Sequence, residues 1–184
     1  MLFSSIFSLA CLTAVIATPL HPRQTTNTNV RINQIVDALD IAIHVNIPDV
    51  QNLEASHRAN ANTIGPQFDQ LVTAYNTATR NLNATAISSG SNTTMPRNDD
   101  IGVTYATALS LTTSGLSGLS PTVVVGLPAM FAKLDPAIAA SVVALNRTLP
   151  GSGSLIHTMM LDARQFLQRE NMTQTLTVLG FPTA

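Results

Sequence analysis

Apolar residues recur at steps of three and four along most of the chain, a spacing that predicts helices and almost no strand. Ile32, Ile35, Val36, Leu39 and Ile43 form the first stripe, and Pro48 in NIPD is expected to end it. Asp49 then caps a second helix with Val50, Leu53, His57, Ala61 and Ile64 along one face. The phase continues through Gly65-Pro66 to Phe68, Leu71, Val72, Tyr75 and Leu82, which predicts a helix pair kinked at that dipeptide. NATAISSGSNTTMPRN, residues 83–98, is polar and reads as a loop. A further helix is predicted to start at Asn98, Asp99 or Asp100, with Ile101, Tyr105, Ala108, Leu109 and Thr112 inward, and to fade in SGLSGLS.

The second half begins with TVVVGLPAMFAKLDPAIAASVVAL, residues 122–145, in which Lys133 and Asp135 are the only charges. Ser120-Pro121 and Asp135-Pro136 each resemble an N-cap followed by proline at the first helical position. Two short helices are therefore expected, one with Val123, Leu127, Met130, Phe131 and Leu134 inward, the other with Ile138, Val142, Leu145 and Leu149. Two prolines and two charges argue against a bilayer span. PGSGS (150–154) reads as a linker with Ser154 as the next cap. Leu155, Met159, Ala163, Phe166 and Leu167 make another face, and a last short helix starts near Asn171 and ends at Gly180. The sum is an all-α, single-domain bundle of about six helices over residues 30–184.

Residues 1–17, MLFSSIFSLACLTAVIA, are uncharged and end in a small-residue pair, the layout of a secretory signal peptide. Residues 18–29 read as a flexible leader with a second processing point at Arg23. Cys11, the only cysteine, would leave with the signal, so export would not bring a disulfide framework. Ten acidic and nine basic side chains are scattered singly, giving a net charge of −1. No basic stripe offers itself to phosphates, so nucleic acid is not an expected partner. Charged residues make up 10% of the chain against about a quarter in an average domain, so Ser, Thr, Asn and Gln must supply much of the surface.

No motif for catalysis, phosphate binding or cofactor binding is present, and no catalytic residue, cofactor or metal site is expected. His44, His57 and His157 each lack a second potential ligand three or four residues further along the chain, and His57 reads as a core or rim residue. Asp99-Asp100 reads as a cap with a favourable charge for the helix dipole. Four Asn-x-Ser/Thr sequons, at Asn83, Asn92, Asn146 and Asn171, are candidate glycosylation sites. Met130, Met159, Met160 and Met172 cluster with Phe131 and Phe166 in the second half. Ordinary core filling is one reading of them; an adaptable apolar pocket is the other. The candidate ligand-binding set drawn from the inward faces is Phe68, Leu71, Tyr75, Tyr105, Leu127, Met130, Phe131, Val142, Met159 and Phe166.

The V-x-I-x-x-I-V-x-A-L pattern of Val30–Leu39, GPQFDQLVTAYNTATRNL (65–82) before a Ser-rich loop, and MFAKLDPAIAASVVALNRTLPG (130–151) resemble the fungal hydrophobic surface-binding and cell-wall galactomannoprotein family. The resemblance extends over roughly residues 30–180. It implies a secreted or wall-associated helical protein that is not an enzyme. Its implied partners are a hydrophobic surface or long-chain lipid, with cell-wall glycans as a further class. Many members carry a Lys-Lys pair before the late helices, where this chain has only Lys133. A secreted helical inhibitor or host-interaction module binding a protein partner is the alternative reading. A hydrolase ranks third, since no nucleophile with a partnered base is visible.

Overall fold

The first apolar stripe runs further than Pro48. In the computed structural model, which describes residues 28–89 and 95–183, α1 spans Thr28–Ala55 and buries Ile43, Ile47 and Val50 in one unbroken phase. Proline deprives the carbonyl four residues back of its donor. Here that carbonyl belongs to His44, which is exposed together with Pro48, so water is at hand. The helix also starts inside the expected leader: Asn29 is buried, and its side-chain amide donates to Pro96 O at 3.0 Å and Asn98 Oδ1 at 2.7 Å.

The break comes instead at residues 56–60. His57, expected on a helical face, is exposed there with φ of 57°, a left-handed turn conformation. Asn60 then opens α2 (Ala61–Asn83). Its Oδ1 accepts from Asn62 N and Thr63 N, and Thr63 Oγ1 accepts from Asn60 N, a reciprocal cap. The predicted kinked pair is thus two helices separated upstream of Gly65-Pro66, and α2 runs through that dipeptide. Ile64, Phe68, Leu71, Tyr75, Ala78 and Leu82 form its buried stripe. Helix α3 (Asn98–Leu116) buries the predicted residues, and Asp100 Oδ2 accepts from Arg97 N at 3.2 Å. Thr112 and Thr113 are both inside it.

Neither cap-proline pair in the second half starts a helix. Residues 117–126 form turns in which Val124 is buried and Val123, the expected inward residue, is exposed. Gly126 closes them at φ of 84°, a conformation glycine adopts without steric cost, and α4 (Leu127–Thr148) follows as one helix through Pro136. Pro136 and Ala132 are exposed, as His44 and Pro48 are in α1. Asp135, only 5% exposed, caps a different helix: its carboxylate accepts from Gln174 N (2.9 Å), Thr175 N (2.8 Å) and Thr175 Oγ1 (2.7 Å). That helix is α7 (Thr173–Val178), which begins close to Asn171 and stops before Gly180.

Between them lie α5 (Ser152–Met159) and α6 (Arg164–Arg169). Ser154 is inside α5, not its cap. Ala163 and Leu167 face inward as predicted, but Ile156 and Met160 are buried in place of the predicted Leu155 and Met159, and Phe166 is only partly buried.

Helix α1 packs on α2 and α3, and α2 packs on α4; α5 touches both α3 and α4 and closes the ring, with α7 against α4. The centre is continuous from Ile32 to Phe181. Each fully buried aliphatic or aromatic side chain there contributes roughly 1.5–3 kcal/mol relative to its exposed state. Two hydroxyl links cross it: Tyr75 Oη to Thr112 Oγ1 at 2.9 Å, and Tyr105 Oη to Ser141 Oγ. The all-helical bundle expected from the spacing is the fold observed, with seven helices among the described residues. Helix α4 is long and apolar enough by length and composition to cross a membrane, with a mean hydropathy of 1.4 and 56% of that stretch buried within the protein.

Candidate functional site

A cleft of about 640 Å³ opens where two connections meet the start of α4. Residues 117–121 form one wall, residues 169–171 the other, and Leu127, Pro128 and Phe131 lie between them. Leu119, Leu127 and Phe131 are almost fully buried, so they present little more than their edges as an apolar floor. Phe131 is fixed from behind by Phe68, edge-on with ring centroids 5.1 Å apart. Arg169 Nε pairs with Glu170 Oε1 at 3.1 Å on the rim. The volume falls in the range of about 300–1,000 Å³ typical of small-molecule sites.

A second cleft of about 320 Å³ shares Gly118, Leu119 and Ser120 with the first and adds Glu54, His57, Ala59, Val123 and Val124. Residues 118–120 are therefore a thin partition between two depressions. Ser120, His57 and Glu54 share this second cleft, but no side-chain hydrogen bond among the described residues joins any two of them; His57 N donates only to the Glu54 backbone carbonyl at 3.0 Å. The Ser120 hydroxyl pairs with Thr122 Oγ1 at 2.7 Å. A nucleophile needs a partnered base within hydrogen-bond reach, and this arrangement has none in place. Among the described residues no group of three or more His, Cys, Asp or Glu gathers as for a metal.

The predicted ligand-binding residues separate into three groups. Leu127 and Phe131 line the larger cleft. Phe68, Leu71, Tyr75, Tyr105 and Val142 are packed in the bundle centre, where their neighbours are other side chains. Met130 is partly buried near Gly65, Phe166 is partly buried on α6, and Met159 is 38% exposed at the end of α5. The four methionines do not converge: Met160 and Met172 are core, Met130 and Met159 are peripheral. Residues 117–121 and 169–171 were not expected in the site. Ser120-Pro121 was visible as a turn signal, but its position opposite Arg169 depends on a contact across some fifty residues of chain.

Burial governs the tyrosines. Tyr75 has its phenol pushed well above the usual value by burial, then by the charge Tyr105 would carry, with the Thr112 hydrogen bond opposing. Tyr105 is raised by burial, opposed by its bond to Ser141. Neither ionises at physiological pH, and neither is placed for proton transfer at the surface. His157 is stacked on Phe181 at 4.4 Å with its Nδ1 2.6 Å from Leu179 O, a packing arrangement at the C-terminal end.

Of the sequons, Asn83, Asn146 and Asn171 are exposed, and Asn92 lies outside the described residues, as do the expected signal peptide and the leader up to residue 27. Asn171 is also part of the larger cleft's wall. Comparison with protein-family models and with curated proteins gives no match for this chain.

Proposed function

We propose that this protein is an exported, non-enzymatic binding protein for lipids or hydrophobic surfaces, acting at the cell wall or exterior without a transmembrane span. The observation that carries the reading is the 640 Å³ cleft with its floor of Leu119, Leu127 and Phe131 beneath a mostly uncharged rim. An aliphatic chain laid on that floor would cover the exposed edges of three side chains at little polar cost. The exposed apolar side chains of Val123 and Val125, on the connection that forms the cleft's wall, support contact with an extended hydrophobic surface. The uncharged N-terminal segment and the sugar-acceptor sequons support export.

The test is a melt of the protein with and without long-chain fatty acid or fatty alcohol below the micelle concentration, beside adsorption to hydrophobic beads. A ligand at a hundredfold excess over Kd that binds only the folded state adds about 2.7 kcal/mol, a rise of several degrees in Tm. No shift with any chain, together with no adsorption, overturns the reading. The alternative, a module that binds a protein partner, is favoured by one observation: Ile41 and Val45 stand 64% and 58% exposed one turn apart on α1. Loss of partner binding on Ile41→Asp, with lipid binding absent, would establish it instead.

A further inference from the structure

Three charged groups set the electrostatics of the larger cleft, and their balance decides which lipid head it accepts. Arg169 and Glu170 are the only ionisable side chains in its described lining, and they neutralise each other across 3.1 Å. Glu170 is the more enclosed of the two, with its side chain 13% exposed against 56% for Arg169. A second carboxylate stands behind the opposite wall. A Cβ on Gly118 would lie 2.6 Å from Glu54 Oε1, so that charge abuts the thin partition between the clefts.

An ionised carboxylate entering here meets a guanidinium already engaged and two like charges. It gives up hydration without a net electrostatic return. A hydroxyl head gives up much less, because it carries no charge to desolvate. It also finds a partner: Ser117 Oγ donates to Ser114 O at 2.6 Å and its oxygen retains capacity to accept, whereas Ser120 Oγ is engaged with Thr122 Oγ1 at 2.7 Å and Thr122 N at 3.3 Å. We infer that the cleft takes an uncharged, hydroxyl-bearing single-chain lipid, a monoacylglycerol or fatty alcohol, in preference to the matching fatty acid. Glu170 sets that preference by holding Arg169 neutralised. The inference rests on the lipid-binding reading above and names its ligand class.

The experiment compares laurate with 1-monolauroylglycerol, each below its micelle concentration at neutral pH, by titration calorimetry on the full chain. The parent is expected to bind the monoacylglycerol about fivefold more tightly or better, the scale of a partly enclosed charge interaction. Glu170→Gln frees Arg169 and should bring the two affinities close to equality by strengthening laurate binding alone. Should Glu170→Gln fail to fold by circular dichroism, Arg169→Gln serves with the opposite expectation, a wider gap. Equal binding by the parent, or tighter laurate, overturns the inference and leaves lipid binding standing. A gap that neither variant moves overturns its assignment to this cleft. Binding of neither ligand overturns the inference, and if no other chain length binds and no adsorption to hydrophobic beads occurs it removes the lipid reading as well.

Discussion

Tyr75 and Tyr105 are the only tyrosines in a chain without tryptophan, and both are sealed inside the bundle with their hydroxyls bonded across it. Burial raises both phenols above the value of about 10 that the unfolded chain would show. The folded state therefore keeps protons that the unfolded state releases. Stability from this source is fully present below about pH 10 and is lost as the pH climbs above it. Phenolate absorbance in a pH titration should stay flat through pH 10 while circular dichroism remains native, then appear together with unfolding. Phenolate formed near pH 10 in folded protein would show that these rings reach water.

At the scale of elements, three prolines sit inside long helices, at Pro48 in α1, Pro66 in α2 and Pro136 in α4. All three are exposed, and so are His44, Asn62 and Ala132, whose carbonyls they deprive of a donor. A lost bond on the wet side of a helix is replaced by water, which is why none of these prolines ends its helix. Close packing constrains more tightly. At the crossing of α1 and α3 a Cβ on Gly115 would lie 2.2 Å from Ile47 Cγ2. Gly115→Ala should cost about 1–3 kcal/mol and lower Tm by about 2–12 °C. The same change in an Ile47→Ala background should cost less, since the obstructing methyl is gone. Additive losses in the double variant would place the strain elsewhere.

Over the whole molecule, the C-terminal helices are tied to the bundle through one buried carboxylate. Asp135 of α4 caps α7, and residues 169–171 just before α7 form a wall of the cleft. Asp135→Ala leaves the buried Thr175 amide and the partly buried Gln174 amide without their acceptor, while the Thr175 hydroxyl keeps the Asp135 backbone carbonyl at 3.2 Å. A buried group left unpaired costs about 1–3 kcal/mol. Amide exchange should accelerate in residues 164–181 well before the α1–α3 core responds, and lipid binding at the cleft should weaken with it. Uniform acceleration across the chain would mean that this tie holds the bundle as a whole. Unchanged exchange would mean that packing of Leu176 and Leu179 suffices.

How much of this was legible beforehand divides along physical lines. Periodicity in the sequence determined the helical class, the buried stripes of α1, α2 and α3, the loop before α3 and the position of α7, because burying one face of a helix is a local pattern repeated every three or four residues. Helix ends were less accessible. A Ser-Pro or Asp-Pro pair satisfies the cap rule whether or not the chain uses it, and Asp135 found its amides 39 and 40 residues away. His57 looked inward because the stripe was extended past a break that Asn60 and Thr63 create. Among the site candidates, an apolar residue in phase with a stripe can be core or cleft, and sequence assigns both the same face. Tertiary packing alone decided that Tyr75 and Tyr105 are core, that Leu127 and Phe131 edge a cleft, and that Arg169 and Glu170 stand across from Ser120. That decision needs two turns distant along the chain to approach, which depends on how helices stack and not on any local pattern.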